Sequence, residues 1–396
     1  MARILLISGK GGVGKTTVAA ATALAAAKKG YRTIVLSFDL AHSLSDSFDV
    51  ERGLFHQNQG MPLAVADNLT IQEIDVQNEI ERHWGEVYGY VATLLTSTGL
   101  SDMVAEEVAI IPGMEDVISL MYINQYLTED TYDVIVVDCP PTSDSLRFVN
   151  ITSTLDWYMR KRFKFDRKMV KLARPIANRL SGFELPDDGY FSAMERIFSR
   201  LDGVDELLTN PEVTTVRLVT NAEKMVVRET QRAYMYFCMY GMVTDAIVVN
   251  RLMTDAEGFF AQWAQTHATY SAEVEEYFKP LPVFKVPLFS NEVVGRAALE
   301  KVVEELYGDA DPTARYITET PYHFEKTDDE YKLHIKLPFV DKREIDISRH
   351  DQNLVIRIGS FKRHVPLPRS VVRFKNAGAK MEGNQLTVNF VKEEAS

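Results

Sequence analysis

A loop rich in glycine and lysine near the N-terminus carries the strongest chemical signal in this chain. Residues 9–17 read Gly-Lys-Gly-Gly-Val-Gly-Lys-Thr-Thr, between an apolar run of strand length and an alanine-rich stretch of high helix propensity. Glycines let successive backbone N–H groups point at an anion, and the following helix N-terminus adds partial positive charge. The pattern predicts a phosphate-binding loop for ATP, with Lys15 on the β- and γ-phosphates and the Thr16 hydroxyl on Mg²⁺.

Two aspartates come directly after predicted strands. Asp138 ends the predicted strand 132–138, which is continuously apolar over 134–137, and this Walker B pattern delivers a carboxylate to the magnesium shell. Asp39 follows the strand predicted over 33–38, and ligands gather beyond the carboxyl ends of parallel strands. We predict that Asp39 orients the attacking water, which needs alignment more than covalent chemistry. Its alternative role is the N-cap of a helix.

Composition limits the classes of function. The chain has 396 residues, 46% of them hydrophobic and 25% charged, a net charge of −12 and two cysteines, Cys139 and Cys238. These values favour two or more globular domains, a reducing compartment and no nucleic-acid partner. The sequence enters its first predicted strand at once and contains no apolar run of membrane-spanning length. We therefore expect a cytoplasmic protein, or a protein of the plastid stroma if a transit peptide has been removed.

The spacing of hydrophobic residues divides the chain into two parts with different predicted folds. Strands alternating with helices predict a doubly wound, mostly parallel α/β sheet over residues 1–308, with a helical region within about 76–129 and 150–210. Residues 309–321 read as a linker. Over residues 322–396 the period becomes two, which predicts an all-β sandwich. Its expected core is Leu333, Ile335, Leu337, Ile356, Ile358, Leu386 and Val388.

Several stretches in matching order resemble one family over about residues 1–306. Lys10 gives the loop the deviant form found in dimeric ATPases, and the matching stretches are 39–43, 112–115, 138–142, 249–252 and 287–295. Together they are similar to the arsenite-pump and tail-anchored-protein targeting ATPases. Residues 379–388 resemble the closing signature of the α-crystallin domain of small heat-shock proteins, although one extra residue separates Gly383 from Leu386 and no Ile-x-Ile tail follows.

The resemblance implies a Mg-ATP-dependent homodimer that binds and shields hydrophobic client segments through its helical region. It implies that Lys10 acts catalytically on the partner's nucleotide, that Glu223 also touches that nucleotide, and that the 287 loop binds nucleotide too. Asn250 closes a strand and would suit the edge of adenine. Glu223 and Asn250 could instead be a helix-start glutamate and a turn asparagine. The predicted nucleotide-binding residues are Gly9, Lys10, Gly11, Gly12, Val13, Gly14, Lys15, Thr16, Thr17, Glu223, Asn250, Pro287, Leu288 and Phe289.

The chain departs from the family pattern in two places. It has no Cys-x-x-Cys pair, and we therefore expect no zinc at a dimer interface. Leu40 stands where a proline is usual, beside the retained Asp39 and His42. Three other functions stay open: a partitioning or positioning ATPase, a metal-oxyanion efflux ATPase, and an iron–sulfur ATPase with two cysteines from each subunit.

Residues 159–180 form the most basic stretch of the predicted helical region. Nine lysines and arginines stand there against one acid, with apolar residues on one helical face. Such a helix suits a peripheral membrane contact or a partner helix. It equally suits packing on its own domain with a solvated basic face.

Overall fold

A computed structural model describes most of the chain outside two long segments. The described residues are 2–38, 43–50, 60–79, 85, 87, 114–141, 163, 167–171, 173, 185, 188–254, 257–327, 330–350, 352–368 and 370–392.

Eight strands form one mostly parallel sheet. They are Arg3–Gly9 (β1), Thr33–Ser37 (β2), Leu63–Ala66 (β3), Leu69–Glu73 (β4), Val134–Asp138 (β5), Thr214–Thr220 (β6), Thr244–Leu252 (β7) and Val283–Pro287 (β8). Their order is β3-β4-β2-β5-β1-β6-β7-β8, and only β3 pairs antiparallel in the registers described. Strands β1, β2, β5 and β6 are buried at every position, which explains their continuous apolar sequences. The predicted doubly wound α/β class is confirmed.

Helices alternate with these strands. Those described are Lys15–Lys28 (α1), Ser43–Ser47 (α2), Val76–Glu79 (α3), Met114–Thr128 (α4), Asp188–Ser199 (α5), Val204–Thr209 (α6), Lys224–Met239 (α7), Ala261–Tyr277 (α8) and Arg296–Tyr307 (α9). Most alanines of α1 are fully buried, because a side chain this small lets the helix backbone lie close to its neighbours.

The chain divides into two compact units, and the first contains α1 and α9. It comprises Met1–Ile4, Thr16–Leu207 and Glu292–Thr313. The hydroxyls of Thr22 and Tyr307 lie 2.7 Å apart in its interior, and Lys28 pairs with Glu300 at 3.1 Å near the surface. These contacts hold α9 along α1.

The second unit contains a buried ion pair between neighbouring strands. It comprises Leu5–Lys15, Leu208–Asn291 and Ala314–Ser396. Arg217 of β6 and Asp245 of β7 lie 3.2 Å apart, and both side chains are fully buried. Thr215 donates a hydrogen bond to Asp245 at 2.8 Å, and Arg217 donates to the Ala314 carbonyl at 3.1 Å. Charges buried this deeply need such hydrogen bonds, because water cannot solvate them.

The C-terminal residues form an antiparallel β-sandwich, as predicted. Its strands are Tyr322–Lys326 (β9), Glu330–Lys336 (β10), Ile345–His350 (β11), Asn353–Ile358 (β12), Phe361–Pro366 (β13), Phe374–Glu382 (β14) and Gln385–Lys392 (β15). One sheet has the order β14-β15-β10-β9 and the other β11-β12-β13. All seven predicted core residues are at most 5% exposed. In the first sheet, Leu333 faces Val388 across the strand pair.

Aromatic side chains join the sandwich to α7 and α8. Phe361 of β13 lies 5.3 Å from Tyr236 of α7, measured between ring centroids. Phe339, which follows β10, lies 5.6 Å from Phe278 at the end of α8. Such pairs add attraction beyond the area that they bury. The sandwich is therefore packed onto these helices and is not merely tethered by the chain.

Residues 309–321 contain no helix or strand, which is the structure expected of a linker. They nevertheless make defined contacts. In the first unit Lys29 donates to the Asp309 carbonyl at 2.7 Å, and Tyr31 donates to Asp311 at 3.0 Å. In the second unit Arg315 pairs with Glu212. The domain boundaries proposed from the sequence stay a prediction.

Candidate nucleotide site

Glycines give the loop after β1 its course. A Cβ on Gly9 would lie 2.3 Å from the Val219 carbonyl oxygen, which no side chain tolerates. Gly14 has a φ of +92°, and a Cβ there would lie 2.2 Å from the amide nitrogen of Asn250. Gly9 is required because the backbone of Val219 lies too close for a side chain, and Gly14 is favoured because its φ lies in the left-handed region.

The two lysines of the loop have opposite exposures. Lys10 is exposed, together with Gly11 and Gly12. Lys15 is only 6% exposed and is the first residue of α1. A buried lysine at a helix N-terminus suits a phosphate, and an exposed one is free to act outside its own loop. The predicted roles, Lys15 on the phosphates and Lys10 on the partner's nucleotide, are compatible with these exposures and stay predictions.

The side chains of Thr16 and Asp138 contact each other at the candidate nucleotide site. Asp138 is the last residue of β5, and its side chain is fully buried. The Thr16 hydroxyl donates to Asp138 Oδ2 at 2.7 Å. A hydroxyl and a carboxylate are hard oxygen donors of the kind that Mg²⁺ prefers. The structure therefore brings together the two residues predicted for the magnesium shell.

Ser43 adds a third oxygen at this point. Its hydroxyl lies 3.2 Å from Thr16 Oγ1 and it is the first residue of α2. Glu73, which ends β4, holds this helix by accepting hydrogen bonds from the Ser45 backbone N–H at 2.9 Å and hydroxyl at 2.6 Å. A carboxylate at a helix N-terminus is favourable. The sequence signal for Ser43 was its place in the 39–43 stretch, although no role was predicted for it.

Asn250 contacts the loop directly. It is 5% exposed, and its amide nitrogen donates to the Val13 carbonyl at 2.8 Å. The next residue, Arg251, donates through Nη1 to the Gly12 carbonyl at 3.0 Å. The sequence predicted Asn250 for the adenine edge, which these contacts do not test. It did not predict Arg251, because contacts across 239 residues have no local sequence signal.

Glu223 lies at the N-cap of α7 and is half-buried. Its side chain makes no capping hydrogen bond, although its backbone has the extended conformation of a cap residue. It lies near His267 of α8, a buried residue whose Nδ1 accepts from the Met253 backbone N–H at 3.0 Å. Burial lowers the pKa of His267 below its ordinary value. The nearby carboxylate of Glu223 favours the protonated ring, but its effect is smaller than that of burial. The ring is therefore neutral near pH 7, with its proton on Nε2.

The remaining predicted residues lie around the end of β8 or outside the described chain. Pro287 ends β8, Leu288 is 50% exposed, and the Leu288 backbone N–H donates to the Leu252 carbonyl at 3.0 Å. Phe289 is half-buried, as is Thr17 at the start of α1. Asp39 and His42 lie outside the described residues, as do Pro112, Gly113 and Thr142.

Both cysteines are buried. Cys139 is 3% exposed and Cys238 is 2% exposed. Burial raises the pKa of Cys238 to about 12, which suppresses the thiolate. Thiolates are the species that bind iron, zinc and arsenic, and Cys238 therefore lies in a poor position for metal chemistry.

The basic stretch 159–180 is described only at residues 163, 167–171 and 173. Phe163 is 2% exposed and packs edge-on against Phe191 of α5 at 5.7 Å. Arg167 pairs with Glu195 of the same helix at 3.0 Å. These contacts favour packing on the chain's own domain at this point, while Lys168 and Lys171 stay exposed. Among the described helices, none has the length and apolar composition of a membrane span.

Two family models match the chain. The model for an anion-transporting ATPase matches residues 2–308, and the model for an HSP20-like domain found in ArsA matches residues 328–390. The first match contains the loop, Asp138 and Asn250, and the second falls within the β-sandwich.

Curated relatives resemble the chain along nearly its whole length. A putative arsenical pump-driving ATPase 1 of Aquifex aeolicus is 45% identical over 392 residues, which cover 98% of this chain and 99% of the relative. A putative arsenical pump-driving ATPase of Chlorobaculum tepidum is 35% identical, with 98% and 96% covered. An uncharacterized protein of Streptomyces coelicolor is 27% identical over 98% and 97%.

Proposed function

Since this chain belongs to the anion-transporting ATPase family and carries that family's HSP20-like domain, we propose that it works as a homodimeric, Mg-ATP-dependent ATPase that shields hydrophobic client segments. Hydrolysis of ATP is the activity that its membership of the family establishes. The dimer, the magnesium ion and the client are our proposals.

The contact between Thr16 and Asp138 is the observation that supports magnesium-assisted hydrolysis most. The hydroxyl of the half-buried Thr16 and a carboxylate oxygen of the fully buried Asp138 lie 2.7 Å apart, at the place where the metal of a bound Mg-ATP would reach the protein. Thr16 would hold the ion directly and Asp138 would hold it directly or through water. Bound there, Mg²⁺ would neutralise charge on the β- and γ-phosphate oxygens.

Lys10 supports the proposed dimer, because it is an exposed lysine in a loop whose other lysine is buried. We propose that Lys10 reaches the nucleotide of the partner subunit and that Asp39 orients water in its own subunit. ATP would then close the dimer and hydrolysis would release it.

Mixing two inactive variants tests this division of roles. We expect Lys10→Ala and Asp39→Asn each to remove activity alone. If Lys10 acts across the interface, a mixed dimer contains one site with both lesions and one with neither, and part of the ATPase rate returns. Absence of any recovery, with mixed dimers confirmed by native mass spectrometry, would place Lys10 in its own site.

The buried cysteines favour a hydrophobic client over a metal-oxyanion substrate. The relatives named as arsenical pump-driving ATPases make arsenite the second candidate. Arsenite binds tightly to clustered, accessible thiolates, and this chain has only Cys139 and Cys238, both buried. The burial of both cysteines also argues against an iron–sulfur cluster.

A direct comparison separates the two candidates. The purified protein is mixed with a reporter that ends in one hydrophobic helix, or with arsenite, and both reporter solubility and ATPase rate are measured. We expect the reporter to stay soluble in a nucleotide-dependent way and arsenite to leave the rate unchanged. Stimulation by arsenite that disappears in Cys139→Ser or Cys238→Ser would favour the second candidate.

A further inference from the structure

Strand β7 contains an irregularity at the edge of the nucleotide site. Its parallel pairing with β8 changes register between Val249 and Leu252, and Asn250 and Arg251 lie in this interval. Arg251 has a φ of +54°, in the left-handed region that long side chains rarely occupy. Bulges and such backbone angles cluster at functional sites, where the surrounding structure maintains them.

The irregularity directs two neighbouring side chains onto two consecutive carbonyls of the phosphate-binding loop. Asn250 donates to the Val13 carbonyl at 2.8 Å, and Arg251 donates to the Gly12 carbonyl at 3.0 Å. In a regular strand, successive side chains point to opposite faces of the sheet. The local conformation at residue 251 is therefore what lets both residues reach the same loop.

These two bonds also orient the N–H groups of the loop. In a trans peptide, the carbonyl of one residue and the N–H of the next point in opposite directions. Holding the Gly12 and Val13 carbonyls towards β7 turns the N–H groups of Val13 and Gly14 the other way, into the loop. The Val13 nitrogen lies 3.5 Å from the Lys10 carbonyl across that interior, at the outer limit of a hydrogen bond. A phosphate oxygen would be a stronger acceptor for such N–H groups.

We propose that Arg251 is a positioning residue of the phosphate-binding loop and that it acts together with Asn250. Arg251 aligns the peptide between Gly12 and Val13, and Asn250 aligns the next one. The N–H groups that receive phosphate are thereby oriented before nucleotide arrives, which removes an ordering cost from binding. The inference uses the ATPase activity of the family and depends on neither a dimer nor a client.

Two substitutions at residue 251 separate the guanidinium from the backbone. Arg251→Gly removes the hydrogen bond and accepts a positive φ more readily than arginine. Arg251→Lys keeps a donor and the charge. We expect the Kd for ADP and the KM for ATP to rise about three- to tenfold in Arg251→Gly, the range for losing one hydrogen bond. The melting temperature should not fall, and Arg251→Lys should recover part of the affinity.

Lys301→Ala is the matched control, because it removes one positive charge from an exposed position on α9. ADP affinity is measured by calorimetry at a temperature where every variant is folded. Wild-type affinity in Arg251→Gly would overturn the proposal, since the guanidinium would then have no part in binding. An equal loss in Lys301→Ala would also overturn it, by assigning the effect to net charge.

Discussion

At the scale of single residues, the site depends on oxygen atoms placed by two distant parts of the chain. Thr16 is the second residue of α1 and Asp138 is the last residue of β5, yet their side chains share a hydrogen bond of 2.7 Å beside the fully buried Asp138. The same pair of atoms can accept a metal ion in place of that hydrogen bond. We therefore expect loss of either side chain to affect hydrolysis more than the fold.

We predict that Thr16→Ala and Asp138→Asn lower kcat for Mg-ATP by about 10²- to 10³-fold, the usual effect of removing one electrostatic contact in a transition state. Steady-state rates over a magnesium titration measure this effect. Thr16→Ser should restore most of the rate, because it keeps the hydroxyl. An unchanged magnesium dependence in Thr16→Ala would remove this residue from the metal shell.

His267 makes stability depend on pH. Burial lowers the pKa of the folded-state ring below its ordinary value of 6.5. Above pH 6.5 the ring is neutral whether folded or unfolded, and its full contribution to stability is present. As the pH falls through the window between 6.5 and the folded pKa, only the unfolded chain binds a proton, and stability is lost.

His267→Asn should flatten this part of the pH profile. Asparagine does not titrate there, and its side-chain oxygen can replace Nδ1 as acceptor for the Met253 N–H. Urea unfolding of both proteins between pH 5 and 8 gives the comparison. A wild-type curve that falls no more steeply than the variant's below pH 6.5 would contradict the neutral, buried ring.

At the scale of elements, the buried ion pair of β6 and β7 has an exposed counterpart at the start of β2. Arg217 and Asp245 are fully buried, whereas the side chains of Arg32 and Asp133 are 50% and 39% exposed. The hydrogen bond from Arg32 lowers the pKa of Asp133, but water screens this exposed pair. Burial, not the distance between charges, should determine how much each ion pair contributes to the stability of the fold.

We predict that Asp245→Ala destabilises the protein by about 3–5 kcal/mol, because it leaves the Arg217 charge buried without its carboxylate. Asp133→Ala is the matched control and should have a much smaller effect. Denaturant unfolding followed by circular dichroism measures both. Equal losses for the two variants would mean that the strand geometry, not the buried charge, governs stability here.

At the scale of the whole molecule, the segment between the two predicted domains takes part in the packing of the ATPase portion. The Ala314 carbonyl accepts from the buried Arg217, and the Tyr316 ring lies 5.3 Å from the same guanidinium. The β-sandwich in turn covers aromatic residues of α7 and α8. The place of a truncation should therefore matter as much as the removal of the sandwich.

We predict that residues 1–320 keep ATP hydrolysis and that residues 1–311 are less stable by a further 1–3 kcal/mol or so, because only the shorter chain deprives Arg217 of its carbonyl. Both should lose solubility through uncovered aromatic rings. Thermal unfolding, sizing and ATPase assay of the pair measure this. Loss of hydrolysis in a folded 1–320 chain would mean that the β-sandwich is needed for ATP hydrolysis.

The sequence alone determined the loop, the strand that ends in Asp138, the α/β class and the period-two sandwich with its core. Each has a local physical cause: glycine where the backbone needs space, continuous apolar residues where a strand is buried on both faces, and alternation where one face is buried. The short antiparallel strand β3 was not predicted, because its four half-exposed or exposed residues have no such pattern.

Only the tertiary structure decided which distant residues share the site. Ser43 meets Thr16 because Glu73 holds α2, and Arg251 reaches Gly12 because β7 is irregular where it passes the loop. It likewise decided that Arg217 is satisfied by the carbonyl of Ala314. Such contacts join residues far apart in the chain, and no local propensity encodes them. They arise from the order of strands in the sheet and from the need of each buried polar group for a partner.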